Sequence, residues 1–192
     1  MPPILRDIRD LNAPLPEFIV LDTSLILELH PVSSSVNSNH TLAVNFLNRL
    51  KSEARQTRVK PLLPLLAFEE CYFKICQLIL TVYGKSAGGM KWHDYYKQHP
   101  LTIRSIHPVL MQLYQTLLSF PIEIAEPEDL AIYPKGRELL LAARMGDLIN
   151  QFAILPKDAT ILAEAERLGI YAVATLDRDW SRADGFTVFA PL

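Results

Sequence analysis

A chain of 192 residues is the size of one domain with room for an insertion, since domains average roughly 150 residues. Its residues are 49% hydrophobic and 21% charged, which excludes a disordered chain and favours a protein with a substantial apolar core. Its 7 glycines are roughly half the usual share of about 7%, so a glycine-rich phosphate cradle is not expected. A net charge of −2 excludes a broad basic surface, and any polyanion must be bound locally.

The cysteines and the amino-terminal sequence indicate a compartment. Cys71 and Cys76 are spaced by five residues on a predicted helix and fall on different faces, so they are expected to be free thiols in a reducing environment. The first 18 residues contain charges and no apolar run typical of a signal peptide. No apolar stretch is long enough to span a membrane. We therefore expect a cytoplasmic protein with no membrane partner.

Apolar runs and helical spacing alternate along the chain. The predicted elements are, in order, a strand at 18–21, a helix from 24, a helix at 40–53, a strand at 59–66, a helix at 67–82, an irregular polar and aromatic segment at 84–104, a helix at 107–120, a strand at 122–125, helices at 138–152 and 156–168, and strands at 171–176 and 187–190. This alternation predicts an α/β fold, a three-layer α/β/α sandwich with a parallel, Rossmann-like central sheet. Sites in such folds form at the carboxyl ends of the strands.

Acidic residues occur at several points where the chain reaches that edge of the predicted sheet. Asp22 directly follows one strand and Asp177 follows another, while Asp158, Glu69 and Glu70 lie in the first turns of helices that begin there. Taken singly, each has an ordinary interpretation as a helix cap, a first-turn acid or a turn residue. Their coincidence at one edge favours a functional site built from carboxylates.

Carboxylates brought together in this way repel one another unless a cation neutralises them. Mg²⁺ or Mn²⁺ suits such a site, because hard divalent ions prefer carboxylate oxygens and water. A metal held there can activate a water molecule and stabilise the charge that develops on a phosphodiester. The hydroxyl groups of Thr23, Ser24 and Thr175 are expected to orient the carboxylates or the waters around them.

Three stretches of the sequence resemble a known family. They are IVLDTSLIL, PLLPLLAFEE and LPKDATILAEAERLGIYAVATLDRDW, and the resemblance extends over residues 17–30, 59–75 and 154–190. The family is that of the PIN-domain nucleases, metal-dependent ribonucleases selective for single strands, which include the VapC-like toxins. The resemblance implies one PIN-like domain over residues 1–192, longer than the compact family pattern, with an insertion around 84–104.

Matched position by position, the resemblance implies a set of site residues. The implied catalytic acids are Asp22, Glu69, Asp158 and Asp177, with the doubled Glu69-Glu70 leaving the second acid open between the two. The implied metal ligands are Asp22, Asp158, Asp177 and, as an accessory, Asp179.

The function implied by the resemblance is a Mg²⁺- or Mn²⁺-dependent endoribonuclease that cleaves single-stranded RNA and acts in a toxin-like manner. An inhibitory protein and a second copy of the chain are the further expected partners. One alternative is a PIN-like module that binds RNA or protein and regulates without cleaving. Another is a metal-dependent phosphatase that acts on small substrates.

Two groups of side chains outside these motifs suit RNA. A basic run is expected either to guide the phosphate backbone or to be a solvated helix end, and its predicted RNA-binding members are Arg55, Arg58 and Lys60. The aromatic residues of the segment 84–104 are expected either to stack unpaired bases or to pack the segment onto the domain; they are Trp92, Tyr95 and Tyr96.

The sequence GKSAG, beginning at Gly84, satisfies the G-x-S-x-G pattern of serine hydrolases. In hydrolases of this type, which have the α/β-hydrolase fold, the nucleophile is followed along the chain by an acid and then a histidine. The last histidine is His107, and Asp94 is the single aspartate between it and Ser86. We therefore do not expect Ser86 to be a nucleophile.

Overall fold

The computed structural model describes residues 1–30, 39–56, 59–125, 130–133 and 137–192. Its strands are β1 (Ile4–Asp7), β2 (Phe18–Leu21), β3 (Lys60–Pro64), β4 (Glu123–Ala125), β5 (Leu130–Tyr133), β6 (Arg137–Leu140), β7 (Ala172–Ala174) and β8 (Thr187–Ala190). Its helices are α1 (Thr23–Leu27), α2 (His40–Gln56), α3 (Leu65–Ser86), α4 (Trp92–Gln98), α5 (Thr102–Leu118), α6 (Leu141–Phe152) and α7 (Pro156–Arg167), with a 3₁₀ helix, η1, at Arg178–Arg182.

Six strands form one parallel sheet in the order β1-β8-β7-β2-β3-β4. Helices flank this sheet, which confirms the predicted three-layer α/β/α architecture with a parallel central sheet. Strands β5 and β6 pair with each other as an antiparallel hairpin. Because the six strands run in the same direction, all their carboxyl ends lie at one edge of the sheet.

The middle of the sheet is buried on both faces. In β2, Ile19, Val20 and Leu21 have no exposed surface, and Val20 pairs with Val173 of β7. Continuous apolar runs are typical of strands covered on both faces, and they account for the correct prediction of β2, β7 and β8. The core therefore lies around the strands that carry Asp22 and Asp177 at their ends.

The structure differs from the sequence prediction in several places, and one of them is strand β5, which was not predicted. Strand β1 was not predicted; it pairs with β8, and its first three residues are exposed. Residues 138–140, predicted to begin a helix, belong to β6. The segment 84–104, predicted to be irregular, contains α4. Helix α5 begins five residues earlier than predicted, since Pro108 lies inside it rather than at its start. Whether 84–104 is an insertion stays a prediction.

Gly84 allows the end of α3 to approach the chain that leads into α4. Its carbonyl accepts a hydrogen bond from the Met90 backbone N–H at 2.9 Å. A Cβ atom at this position would overlap the carbonyl oxygen of Met90. The hydroxyl of Ser86 donates to the Val82 carbonyl one helical turn earlier, at 3.1 Å. The GKSAG motif is therefore part of a helix end, not a strand-to-helix nucleophile turn.

We expect Gly84→Ala to lower the free energy of unfolding by about 1–3 kcal/mol through overpacking. Gly146→Ala is the matched control, because Gly146 is also helical and an added Cβ would meet nothing within 4 Å. That control should raise the free energy of unfolding by about 0.5–1 kcal/mol through helix propensity. Urea denaturation of both variants measures the two effects, and equal effects would contradict the close approach at Gly84.

Both cysteines are free thiols, as predicted, with Cys71 buried and Cys76 partly buried. Burial raises the pKa of the Cys71 thiol, and the nearby charges of Asp22 and Glu70 raise it further. Cys71 is therefore a thiol held in its neutral form next to acidic side chains. None of the helices in the described ranges is long and apolar enough to cross a membrane.

Candidate active site

Asp22 is buried between the end of the central strand β2 and the start of α1. Its backbone N–H donates to the Ala174 carbonyl at 2.9 Å, which extends the pairing of β2 with β7 by one residue. Its carboxylate caps α1 by accepting from the Ser24 N–H at 3.3 Å. The side chain is only 4% exposed. A helix cap needs no such burial, since Asp, Asn, Ser and Thr cap helices at the surface.

Two hydroxyl groups hold the carboxylate of Asp22. The Ser24 Oγ donates to Oδ2 at 2.5 Å and the Thr175 Oγ1 donates to the same oxygen at 2.8 Å. Burial raises the pKa of Asp22, and these hydrogen bonds act in the opposite direction because they favour the charged form. Asp22 is thus a buried acid that its neighbours partly stabilise as an anion.

Thr175 connects Asp22 to Asp177, because its Oγ1 also accepts from the Asp177 N–H at 2.9 Å. We expect Thr175→Val, which keeps the shape and removes the hydroxyl, to raise the pKa of Asp22 further. Loss of a hydrogen bond to a charged group should also lower the free energy of unfolding by about 1.5–3 kcal/mol at neutral pH. Carboxyl ¹³C NMR titration and urea denaturation test this, and an unchanged Asp22 pKa would contradict it.

Asp158 is half-buried in the first turn of α7 and is surrounded by other acids. Its pKa is raised to about 7, first by burial and then by the charges of Asp22, Asp177, Glu70 and Asp179. Together with Asp158, these residues come from four separate places in the chain, namely the end of β2, α3, the start of α7 and the turn after β7. The carboxylates around Asp158 repel one another, and either a proton on one of them or a bound cation reduces that repulsion.

Of the two adjacent glutamates on α3, Glu70 is the one that acts on Asp158. Its Oε2 accepts from the Thr23 hydroxyl at 3.1 Å, and its Oε1 lies 2.9 Å from the ammonium nitrogen of Lys157. Glu69 is exposed and faces an adjoining groove. Consecutive helical residues point about 100° apart, so only one of the two can face the other acids. Of the two candidates that the motif left open, Glu70 is therefore the one whose charge acts on Asp158.

Asp177 and Asp179 lie at the exposed rim. The Asp177 carboxylate accepts from the Asp179 N–H at 2.9 Å and so begins the 3₁₀ helix η1. The Asp179 carboxylate forms an exposed ion pair with Arg182 at 3.0 Å. Asp177 therefore acts as a turn former, and both residues contribute negative charge to the surroundings of Asp158.

The predicted RNA-binding residues lie elsewhere. Lys60 is the first residue of β3, and its ammonium nitrogen is 5.7 Å from the ring centre of Phe18, the first residue of β2. Arg55 is exposed near the end of α2, which leads to the same edge, and Arg58 lies outside the described residues. Strand starts and strand ends occupy opposite edges of a parallel sheet. Lys60 therefore does not flank the acids, and RNA binding by this basic run stays a prediction.

The cations that do flank the acids were not predicted. Lys157 pairs with Glu70, and Arg178 lines a cavity together with Ser24 and Asp177. In the sequence, Lys157 directly precedes Asp158 and Arg178 directly follows Asp177. This adjacency to predicted acids could have identified both cations.

The acidic side chains have the donor chemistry that a hard divalent cation prefers. Among the described residues, no three His, Cys, Asp or Glu side chains are grouped closely enough to hold one ion, so there is no preformed cage of three ligands. Mg²⁺ is usually held by one or two carboxylates and keeps several waters. A buried acid at Asp22 beside an acid whose pKa is about 7 at Asp158 fits that mode of binding.

Comparison with solved structures finds proteins of similar fold. One is VapC20 of Mycobacterium tuberculosis, a toxin that cleaves the sarcin-ricin loop; it is 14% identical over 86% of this chain and 95% of that chain, with a TM-score of 0.46. Another is VapBC2 of Rickettsia felis, solved with a DNA fragment from its promoter; it is 12% identical over 90% of this chain and 98% of that chain, with a TM-score of 0.47.

The likeness is in fold alone. No family model matches the chain, and no curated protein matches it. At this level of similarity, what those two proteins bind or cleave does not transfer to this chain, whose function must be argued from its own residues.

Proposed function

We propose that this chain is a Mg²⁺- or Mn²⁺-dependent endoribonuclease that cleaves single-stranded RNA. The observation that supports it most is the group of acids around Asp158, which come from the end of β2, from α3, from α7 and from the turn after β7. These acids come from unconnected elements, and the repulsion between them lowers the stability of the folded protein. Such a cost is typical of functional sites, where perturbed pKa values cluster.

Asp22 and Asp158 are the proposed direct ligands, with Asp177 and Asp179 at the rim and Glu70 as the remaining acid. A divalent cation bound there supplies activation of water and neutralisation of charge on the phosphodiester. Ser24 and Thr175 orient the Asp22 carboxylate and favour its ionised form through their hydrogen bonds, against the effect of burial. These hydroxyls have a positioning role, because they act on the carboxylate and not on the substrate.

Lys157 and Asp158 have complementary roles in this proposal. Lys157 offsets the charge of Glu70 and so reduces the repulsion that a phosphodiester meets on approach. Without a cation, Asp158 carries a proton below about pH 7. It must release that proton to become a ligand.

The surface beside the acids supports a polymeric substrate over a small phosphate ester. One cavity adjoins Glu70 and contains Lys157, and a second adjoins Asp177 and contains Arg178. An extended strand has phosphates on both sides of the bond that is cut, so a cation in each cavity suits it. A small phosphate ester would need only one of them.

The test is incubation of the purified chain with end-labelled single-stranded RNA and Mn²⁺, with and without EDTA. We expect internal fragments that EDTA abolishes and that an Asp158→Asn preparation, purified in parallel, does not produce. Fragments that persist in EDTA would contradict the proposal. Binding of RNA without fragments would support the regulatory module instead, and hydrolysis confined to p-nitrophenyl phosphate would support the phosphatase.

A toxin-like role, an inhibitory protein partner, a homodimer and a cytoplasmic location stay predictions. Size-exclusion chromatography with light scattering measures the oligomeric state directly.

A further inference from the structure

A groove of about 270 Å³ adjoins the acidic group on the side of Glu70. Its lining includes apolar side chains and three charged ones, namely Leu66, Phe73, Ile161, Glu69, Glu70 and Lys157. Ligand pockets for small molecules usually measure about 300–1,000 Å³. A groove slightly below that range suits one planar ring system better than a complete nucleotide.

Phe73 supplies an exposed aromatic surface in this groove. It is 48% exposed, although the edge of Trp92 packs against it at 5.9 Å and an interplanar angle of 87°. The ammonium nitrogen of Lys157 lies 5.4 Å from the centre of the Phe73 ring. These two contacts fix the ring while leaving half of its surface open. Exposed aromatic rings of this kind stack unpaired bases.

Trp92 and Tyr95 have the packing role that was the alternative in the sequence analysis. Trp92 supports Phe73, and Tyr95 packs against Tyr83 and His99 at ring-centre distances of 6.1 Å and 4.7 Å. The aromatic side chain that faces the groove comes from α3 instead.

Glu69 places a carboxylate in the same groove. It lies four residues before Phe73 on α3, so the two side chains share one helix face. Glu69 is exposed and has no hydrogen bond or ion pair among the described residues. A carboxylate accepts two parallel hydrogen bonds from adjacent N–H groups, and guanine has two such donors, N1–H and the N2 amino group. Uracil offers a single N–H donor on the corresponding edge.

We propose that this groove binds one base of the RNA strand and prefers guanine, with the base stacked on Phe73 and its N1 and N2 donors bound by Glu69. The inference rests on the proposed function and adds the chemistry of the base next to the cleaved bond. Lys157 lines the groove and pairs with Glu70, so it would direct the phosphate joined to the bound nucleotide toward the acids. Glu69 would then read the base and take no part in holding the cation.

The test compares binding of three oligouridines of about 12 nucleotides, a length within the usual range for single-strand sites. They differ at one central position, which is guanosine, inosine or uridine. Fluorescence anisotropy is measured with the full chain in EDTA at pH 6.5. We expect guanosine to bind at least about fivefold more tightly than uridine, with inosine between them, since each good base contact discriminates by this factor or more.

Three variants separate the two contacts. Glu69→Gln should remove the preference for guanosine over inosine. Phe73→Leu should weaken the binding of all three RNAs by about fivefold or more. Phe73→Trp should bind them about as tightly as the wild type. Tyr171→Leu is the matched control, because Tyr171 is an aromatic residue with 38% exposure that precedes β7 and so lies at the opposite edge of the sheet. Circular dichroism checks that each variant is folded.

The outcomes distinguish this inference from the proposed function. Equal binding of the three RNAs by a chain that cleaves RNA, or unchanged preference in Glu69→Gln, overturns the guanine groove and leaves the nuclease standing. A chain that neither binds nor cleaves RNA overturns both.

Discussion

The Asp22→Asn substitution is expected to lower kcat/KM for RNA cleavage by roughly 10²–10³-fold or more while leaving the protein folded. The change removes the charge needed for a cation, but asparagine still caps helices well and still accepts hydrogen bonds. Because burial disfavours the charged carboxylate, its loss should not lower the free energy of unfolding at neutral pH. Cleavage kinetics and urea denaturation at one pH measure both quantities.

Asp10→Asn is the control for this experiment. The Asp10 carboxylate also caps a turn, accepting from the Asn12 N–H at 2.9 Å, but it is exposed. It should change neither activity nor stability appreciably. If Asp22→Asn unfolds the protein, Asp22 is a structural cap. If Asp22→Asn cleaves at the wild-type rate, the acidic group is not the site of catalysis.

In the metal-free protein, the stability contributed by Asp158 is expected to fall as pH rises. Its folded pKa is about 7, against an ordinary value of 3.8. Between about pH 4 and pH 7 the folded state therefore holds a proton that the unfolded chain has released, and the free energy of unfolding decreases with pH. Asp158→Asn removes this dependence. It should stabilise the EDTA-treated protein at pH 8 by about 1–2 kcal/mol, a figure reduced because the group is partly exposed and screened, and should have little effect near pH 4.

Urea denaturation of wild type and Asp158→Asn at pH 4, 6 and 8 tests the sign of this effect. Addition of Mn²⁺ at pH 8 should stabilise the wild type and not the variant, since a cation favours the ionised acids. A difference between the two proteins that stays constant with pH would show that Asp158 is not coupled to its acidic neighbours.

The positions of the main acids were predictable because two rules act together. A continuous apolar run marks a buried strand, as at Ile19–Leu21, and parallel strands end at one edge of the sheet. Asp22 and Asp177 follow such runs directly, so their shared location required no knowledge of side-chain packing. The position of Asp158 was predictable in the same way, because Pro156 marks the start of its helix.

The details that the sequence left open or missed depend on helix phase or tertiary pairing. The choice between Glu69 and Glu70 is set by a rotation of about 100°, which the motif spacing does not fix. The exposed β1 is a strand because β8 pairs with it, and its sequence alone carries no apolar run. The basic run that ends at Lys60 leads into β3, but the start of that strand lies at the edge of the sheet opposite the acids.

The most direct measurement of the central claim, that these acids form one cation site, is calorimetric titration of the metal-free chain with Mn²⁺ at pH 6.5 in two buffers of different ionisation enthalpy. The two buffers give the number of protons released per bound ion. We predict binding with release of about one proton, because Asp158 must ionise, and loss of that release in Asp158→Asn. Absence of binding, or the same proton release in the variant, would contradict the account.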